Sequence, residues 1–347
     1  MHIIVLFGGH SAERDVSIAS ATGIVRALRS RGHHVSAFDL AHGVVSEADE
    51  GRVLRDDVPT ELPHDHEMPQ TAGSVGALLG TMREHLLRCD LVFLALHGGI
   101  GEDGTIQAYL SLLGVPFTGA SATGSALAMD KELSKRLFRD AGIATPRWLY
   151  NPTSVERVIA ELGSHVVVKP NAQGSTVGLT VARDIDEIQT GLELASRYGD
   201  VLVEQFIAGR ELTIGVLGNT PLVLGEIVLP TDSPFSYEEK YQRDAVKEVF
   251  PAQVSPIIAD DAKRIATLAH HTLKLTGFSR SDFRLDRHGK LWLVEVNTLP
   301  GMTSTSLLPQ SAAACGIDYA DLCERICAAA LEAAAPQSNH VEATPLR

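Results

Sequence analysis

Cysteine is scarce in this chain of 347 residues: four in all, Cys89, Cys315, Cys323 and Cys327, with no Cys-X-X-Cys pair. That argues against a disulfide framework and against a cysteine-built zinc site. Cys323 and Cys327 fall at i,i+4 on a helical stretch, but two thiols alone make a poor metal site, and small core-facing residues is the plainer reading. Long apolar runs are missing as well. None approaches the 18 residues of a membrane-spanning helix, and Met1-His-Ile-Ile-Val-Leu6 enters a strand without a basic leader or a small-residue cleavage site. A cytoplasmic protein is expected. Basic residues are outnumbered, 30 Lys and Arg against 43 Asp and Glu, for a net charge of −13. A general nucleic-acid or anionic-membrane binder is thereby disfavoured, and because the acids are spread along the chain they speak to solubility more than to partners. No internal repeat occurs.

What is there reads as a globular α/β enzyme of two or three domains, 44% hydrophobic and 21% charged. In the first third, an apolar strand at 3–7 runs into Gly8-Gly9. A helix follows with Ile18, Ala21, Val25 and Leu28 on one face, then a strand at 34–40, a helix at 75–87 and a buried strand at 91–96 ending at His97-Gly-Gly. Such βαβ alternation implies a parallel sheet with ligands at the carboxyl ends of its strands. Residues 41–73 lack periodicity and read as a surface excursion. His64-Asp-His66 inside it has metal-ligand residues, but alternate loop residues are not held to one geometry, so a solvated loop is the simpler reading. A second unit starts near Ala120, with helices around 129–141 and 153–162, strands at 165–169, 178–182 and 201–206, and a helix at 184–198. A third carries strands near 211–217 and 221–229, a polar loop 231–245, a helix at 257–275, a hairpin near 280–297 and a closing helix at 319–333. Beyond Ala335 the composition predicts a frayed tail.

The hairpin carries the strongest chemistry. Arg280-Ser-Asp-Phe-Arg-Leu-Asp286 and Leu291-Trp-Leu-Val-Glu-Val-Asn297 flank a turn. If Asp286 faces Leu291 across a four-residue loop, Asp282 faces Glu295, Arg280 faces Asn297, and all four project from one side. Two carboxylates and an amide oxygen suit a hard cation such as Mg²⁺, and the arginine suits a phosphate. A merely solvated face would leave the facing like charges unexplained. A second loop, Val168-Lys-Pro-Asn-Ala-Gln-Gly-Ser-Thr-Val-Gly178, sets Lys169 at a strand end before a glycine- and hydroxyl-rich turn whose N–H groups can cradle phosphate. It is not GxxxxGK[ST], and the Gly8-Gly9 turn is not GxGxxG. A hairpin with a snorkelling lysine fits the same residues. Val201-Leu-Val-Glu-Gln-Phe-Ile207 leads to Gly209-Arg-Glu211 and can line a cleft between units, with room for a planar base and a ribose.

In order along the chain, Phe7-Gly-Gly-His-Ser-Ala-Glu-Arg-Asp-Val-Ser17, Ala95-Leu-His-Gly98, Gly101-Glu-Asp-Gly104, Met129-Asp-Lys131, the Lys169 loop, Glu238-Glu-Lys-Tyr241 and Glu295-Val-Asn-Thr-Leu-Pro-Gly-Met-Thr-Ser304 resemble the D-alanine–D-alanine ligase family of the ATP-grasp superfamily. The resemblance runs from Ile3 to about Leu331, outside 41–73. It implies a three-domain ATP-grasp architecture: an N-terminal parallel α/β substrate domain (pre-ATP-grasp) over 1–119, a central domain over 120–204, a C-terminal domain with the metal site over 205–335, and a flexible tail 336–347. It also implies ATP-dependent joining of two D-alanines through a D-alanyl phosphate, for peptidoglycan precursors.

Matched motif by motif, Lys131, Lys169 and Lys240 would hold ATP phosphates, Lys240 from a mobile loop at 231–245 that closes in turnover. Glu204, Gln205, Phe206 and Ile207 would hold adenine, and Glu211 the ribose. Asp282, Glu295 and Asn297 would hold two Mg²⁺ (or Mn²⁺), in agreement with the hairpin pattern. Arg280 and the Gly301 N–H would face the oxyanion. Glu13 would pair with the ammonium of the first D-alanine, although an acid at a helix N-terminus is also favoured by the macrodipole. Ser175 and Tyr241 would link Glu13 to the closed loop. Ser306 and Leu307 would shape the second amino-acid pocket, and His97 would face substrate. The family further implies a homodimer joined through the first unit, for which apolar excess on helix one and helix 75–87 gives loose support. Departures are Asn171-Ala-Gln173 ahead of the Gly-Ser pair, Gln205 and Phe206 where Lys and Trp are frequent, and Asp15 for a usual Glu. Two rival readings stay open. One is a related ligase using D-lactate, D-serine or another amine, against which Tyr241 speaks. The other is a nucleotide-binding protein without catalysis, against which the intact lysines and carboxylates speak.

Overall fold

The computed structural model describes residues 1–11, 13–58, 75–228 and 247–335, with backbone alone at 75–79 and 81. Its first unit is built on β1 (His2–Phe7), α1 (Arg14–Ser30), β2 (His34–Asp39), β3 (Gly43–Val44), α2 (Glu47–Val53), α3 (Val75–Leu86), β4 (Leu91–Leu94) and α4 (Thr105–Leu113). The sheet order is β3-β2-β1-β4, with β1 parallel to both β2 and β4. β1 and β4 are almost wholly apolar because both faces are covered, as a parallel sheet requires. Their carboxyl ends run into Gly8-Gly9 and His97-Gly98, the edge expected to meet ligand. The excursion after β2 is not wholly irregular: β3 and α2 occupy part of it, and α2, with no buried residue, is tied to α1 by Arg29–Glu50 at 2.7 Å. His64 and His66 lie outside the described residues.

The second unit contains α5 (Ala122–Met129), α6 (Lys131–Asp140), β5 (Trp148–Tyr150), α7 (Val155–Leu162), β6 (Val166–Pro170), β7 (Thr180–Ala182), α8 (Ile185–Ser196) and β8 (Val201–Gln205), in the antiparallel order β5-β8-β6-β7. Helix starts follow local chemistry. Asp130 caps α6 by accepting from Leu133 N, and Asp184 caps α8 from Glu187 N while Glu187 accepts from Arg183 N, a reciprocal pairing that satisfies two otherwise orphaned donors.

The third unit has β9 (Arg210–Leu217), β10 (Thr220–Pro221), β11 (Gly225–Val228), β12 (Lys247–Val249), α9 (Pro256–Thr272), β13 (Phe278–Leu285), β14 (Leu291–Asn297), α10 (Leu307–Ala313) and α11 (Tyr319–Ala334). Its sheet runs β12-β11-β9-β13-β14, with α9 against one face. The closing helix α11 returns to the first unit: Leu322, Cys323, Ile326 and Cys327 join the core of α1 and β1. That covers the second apolar face of α1, so its apolar excess is used within the chain and does not argue for a subunit interface. The two thiols are buried packing groups, pushed by burial well above the ordinary cysteine range. Among the described residues no helix is long and apolar enough to cross a membrane.

Candidate active site

The β13–β14 hairpin forms the floor of a cleft between the three units. Arg280 pairs with Asn297 and Asp282 with Glu295, as the alternation predicts, but by a different route. Leu285 already faces Leu291, so the turn holds five residues, closed by Asp286 N donating to Lys290 O at 3.0 Å. A β-bulge between Phe283–Leu293 and Asp282–Glu295 then restores the expected partners. On β14, Leu291, Leu293 and Val296 are buried, while Val294, Glu295 and Asn297 all line the cleft. Asp282 accepts from Arg280 Nη2 at 2.7 Å, Asn297 Nδ2 at 2.9 Å and Thr213 Oγ1 at 2.7 Å. Each of these donors sits on a neighbouring strand or two residues along β13, so sheet register positions them.

Two lysines descend from the second unit. Lys131, the first residue of α6, reaches Gln173 O at 2.7 Å and lies 3.4 Å from Glu295. Lys169, at the end of β6, meets Glu204 at 2.5 Å, and Lys135 meets the other oxygen of Glu204 at 2.6 Å. Burial alone would raise the Glu204 pKa, yet the two ammonium groups outweigh it and hold the carboxyl down at about 2. Lys135 itself is lowered to about 8 by burial, against the pull of Glu204. Glu204 therefore faces the lysines with its side chain, and its position beside adenine would rest on the strand it belongs to. The Lys169 loop is fastened to α6 by Asn171, whose Oδ1 accepts from Glu132 N at 2.9 Å and whose Nδ2 donates to Asp130 at 2.8 Å. Beyond it, Ser175 and Thr176 hold positive φ of 48° and 61°, strained values for non-glycine residues that turn the loop towards the first unit.

There Glu13, the residue preceding α1, accepts from Ser175 Oγ. A Cβ on Gly98 or on Gly174 would come within 3.2 Å of its carboxylate, so glycine at both points lets the acid pass between them. Glu102 accepts from Gly98 N at 2.9 Å, and burial, seconded by the negative charge of Glu13, pushes its pKa up to about 8. His97 is buried, its Nδ1 bonded to Leu299 O at 2.9 Å and its Nε2 3.2 Å from Ser20 Oγ.

The link from β8 to β9 closes the far end. Arg284 donates to Ile207 O at 3.1 Å and Gly209 O at 2.7 Å, pairs with Glu211 at 3.1 Å, and lies 5.8 Å from the centre of the Phe206 ring. Phe206 also stacks on His165, ring centroids 4.0 Å apart. Gln205 Oε1 accepts from Arg147 at 3.1 Å. Opposite, Ser306 precedes α10 without capping it and contacts Thr303 Oγ1 at 2.7 Å, Leu307 is buried beside it, and a Cβ on Gly301 would lie 2.8 Å from Ser306 Oγ.

Glu13, His97, Lys131, Lys169, Ser175, residues 204–207, Glu211, Arg280, Asp282, Glu295, Asn297, Gly301, Ser306 and Leu307 thus line one cleft that opens to solvent. Lys240 and Tyr241, with the loop 231–245, lie outside the described residues. Sequence reasoning missed Lys135, although i,i+4 spacing from Lys131 sets it on the same helix face. It also passed over Glu102 within Gly101-Glu-Asp-Gly104. Arg284 carried no local signal, because its partners lie on a segment far away in the chain.

Three α/β units around a cleft lined by lysines and carboxylates define the class, an ATP-grasp ligase fold. The family description "D-ala D-ala ligase N-terminus" matches residues 2–120 and "D-ala D-ala ligase C-terminus" residues 138–328. The chain is 37% identical to a D-alanine–D-alanine ligase of Desulfotalea psychrophila, covering 96% of this chain and 95% of that one. It is 38% identical to one of Bordetella avium, covering 93% of each. Among solved structures it is similar to the D-alanine–D-alanine ligase of Bacillus anthracis complexed with ATP (TM-score 0.75, 27% identity, 96% and 98% covered) and to that of Coxiella burnetii (TM-score 0.78, 27% identity, 96% and 94% covered). The chain belongs to the D-alanine–D-alanine ligase family.

Proposed function

We propose that this protein is an ATP-dependent ligase that joins two D-alanines into D-alanyl-D-alanine for peptidoglycan precursors. The observation that carries the reading is the meeting of Glu13 and Ser175 with Arg280 and the Asp282–Glu295 pair in one cleft. An ammonium anchor thereby shares a cavity with a phosphate and cation site. In the first step the carboxylate of one D-alanine takes the γ-phosphoryl group of ATP and ADP leaves. In the second, the amine of the other D-alanine, having lost a proton, forms the new C–N bond, and inorganic phosphate leaves from the tetrahedral intermediate.

Each residue has a physical task. Lys131 and Lys169 would neutralise the transferring phosphates, Arg280 and the Gly301 N–H would meet the developing oxyanion, and Glu13 would orient the first ammonium. Phe206 and Ile207 would hold the base, with Glu211 at the ribose. Ser306 and Leu307 would bound the second amino acid. The donor set Asp282, Glu295 and Asn297 is all hard oxygen, with two carboxylates facing each other across the hairpin, and fits Mg²⁺. Two such ions would supply charge neutralisation at the transferring group.

Phosphate release with D-alanine alone, compared with D-alanine plus D-lactate or D-serine, tests the reading. Turnover with D-alanine alone is expected. Silence there, with turnover on another acceptor, would replace the dipeptide reading by a related ligase. A homodimer joined through the first unit belongs to the same reading on the family resemblance, and a sedimentation mass near the single-chain 37.2 kDa at micromolar concentration would overturn it.

A further inference from the structure

Gly301 has a mechanical problem. A Cβ there would lie 2.8 Å from Ser306 Oγ and would displace that hydroxyl, whereas glycine leaves it in place but lets its own peptide plane swing. An N–H that is to meet a developing charge must instead be held still, because preorganisation is what makes such a donor effective. Nothing within the segment Leu299-Pro300-Gly301-Met302 provides that restraint beyond the fixed φ of Pro300. The restraint comes from the first unit. Leu299 O accepts from His97 Nδ1 at 2.9 Å, and Met302 N donates to Ser20 Oγ at 3.1 Å. Ser20 Oγ and His97 Nε2 are themselves 3.2 Å apart, and both residues are buried. Tyr319 OH donates to Met302 O from the other side.

The hydrogen positions follow by elimination. A carbonyl can only accept, so Nδ1 of His97 carries the proton. In the neutral ring Nε2 then accepts from the Ser20 hydroxyl, while the second side of that oxygen accepts from Met302 N. The result is a closed path, Leu299 O to His97 to Ser20 to Met302 N, that brackets the Pro300–Gly301 step from both ends.

We propose that Ser20 and His97 are a positioning pair that clamps the flanks of Pro300–Gly301 and so aims the Gly301 N–H at the oxyanion, and that His97 acts through this clamp and not as a substrate ligand. The inference rests on the ligase reading for its catalytic consequence, but the clamp itself can be observed without turnover.

Ser20→Ala removes both of the serine's bonds. It should lower kcat about 10- to 100-fold, the effect of a donor misplaced by a fraction of an ångström to one ångström, while KM for ATP stays within about threefold. His97→Asn keeps a donor near Leu299 O and loses the acceptor for Ser20, so it should retain more activity than His97→Leu. The double variant Ser20→Ala/His97→Asn should resemble Ser20→Ala alone, because the shared bond can be lost only once. Normal kcat in folded Ser20→Ala, or multiplying losses in the double variant, would overturn the clamp.

Two measurements do not depend on activity. Ring ¹⁵N shifts of His97 in the wild-type chain should show a neutral Nδ1–H tautomer, unchanged on adding Mg²⁺-ATP and D-alanine. A tautomer change on adding D-alanine would make His97 a substrate ligand and defeat the proposal. Hydrogen exchange at the Met302 amide should quicken in Ser20→Ala, and unchanged exchange would defeat it as well. If the wild-type chain releases no phosphate with D-alanine, the ligase reading falls while these two measurements still decide the clamp.

Discussion

Glu204 and Glu102 are two acids of one cleft whose surroundings push their protons in opposite directions. Glu204 lies between Lys135 and Lys169 and is held at about 2. Its contribution to stability is present above the unfolded value of about 4.3 and lost as pH falls through about 2. Glu204→Gln leaves two buried ammonium groups facing each other, and removing one partner of a buried ion pair costs about 3–5 kcal/mol. Urea unfolding at pH 7 should show a loss of that order, and a loss below about 1 kcal/mol would mean that the lysines find other partners. Glu102 keeps its proton to about 8 in the folded chain, whereas the unfolded chain releases it near 4.3. Stability from this group is therefore complete below about 4.3 and declines as pH rises to about 8. Glu102→Gln should remove the decline, so the variant gains on the wild type between pH 5 and 8. Parallel stability curves across that range would show that Glu102 titrates normally. At the hairpin, Glu295→Gln should abolish turnover while the melting curve is largely preserved, since a partly exposed side chain is changed without altering its volume and its ion pair with Lys131 is long, 3.4 Å. Full activity in the folded variant would move the metal site elsewhere. Glu295 was legible because facing carboxylates on a hairpin call for a cation, whereas Glu204 was reached only through its motif and Glu102 not at all. Lys135 was not read, because a lysine four residues from a phosphate-binding lysine looks like an ordinary helix surface until β8 brings Glu204 against it.

At the scale of elements, the hairpin shows how a right answer can come from a wrong turn. Period-two alternation placed Asp282 opposite Glu295 under a four-residue loop. The chain has a five-residue turn and a bulge at Val294, and the two departures cancel. Bulges leave little trace in a sequence, although Val294 and Glu295, half-buried in succession between buried Leu293 and Val296, mark this one in the structure. The β8–β9 link was read as a weak signal for the opposite reason, its restraint lying elsewhere in the chain. Arg284, from β13, ties down Ile207, Gly209 and Glu211 together. Arg284→Met keeps much of the side-chain volume and removes all three ties. KM for ATP should rise about tenfold or more, with a smaller change in KM for D-alanine, as expected when binding common to ground and transition states is lost. An unchanged KM for ATP would show that the link holds its shape unaided.

No single unit of the whole molecule contains the cleft: the first brings Glu13, Glu102 and His97, the second Lys131, Lys169 and Ser175, the third the hairpin carboxylates and the Gly301 segment. The parallel pairing of β1 with β2 and β4 was legible from the βαβ alternation of the first third. The return of α11 to pack on α1 was not, since an amphipathic helix does not encode which unit it will cover. Because the cleft spans all three units, ligands that fill it should tie the units together and raise the temperature at which they come apart. A ligand at about 100 times its Kd adds roughly 2.7 kcal/mol to the folded state, a few degrees for a chain of this size. ATP with Mg²⁺ should produce such a shift. The triphosphate without the cation should produce much less, because Asp282 and Glu295, although paired with Arg280 and Lys131, would then repel the phosphate oxygens directly. The measurement is a thermal melt with ATP and excess Mg²⁺ beside one with ATP and excess chelator, each referred to its own nucleotide-free control. Equal shifts in the two would place the nucleotide's charge against the lysines alone and leave the paired carboxylates no part in holding a cation.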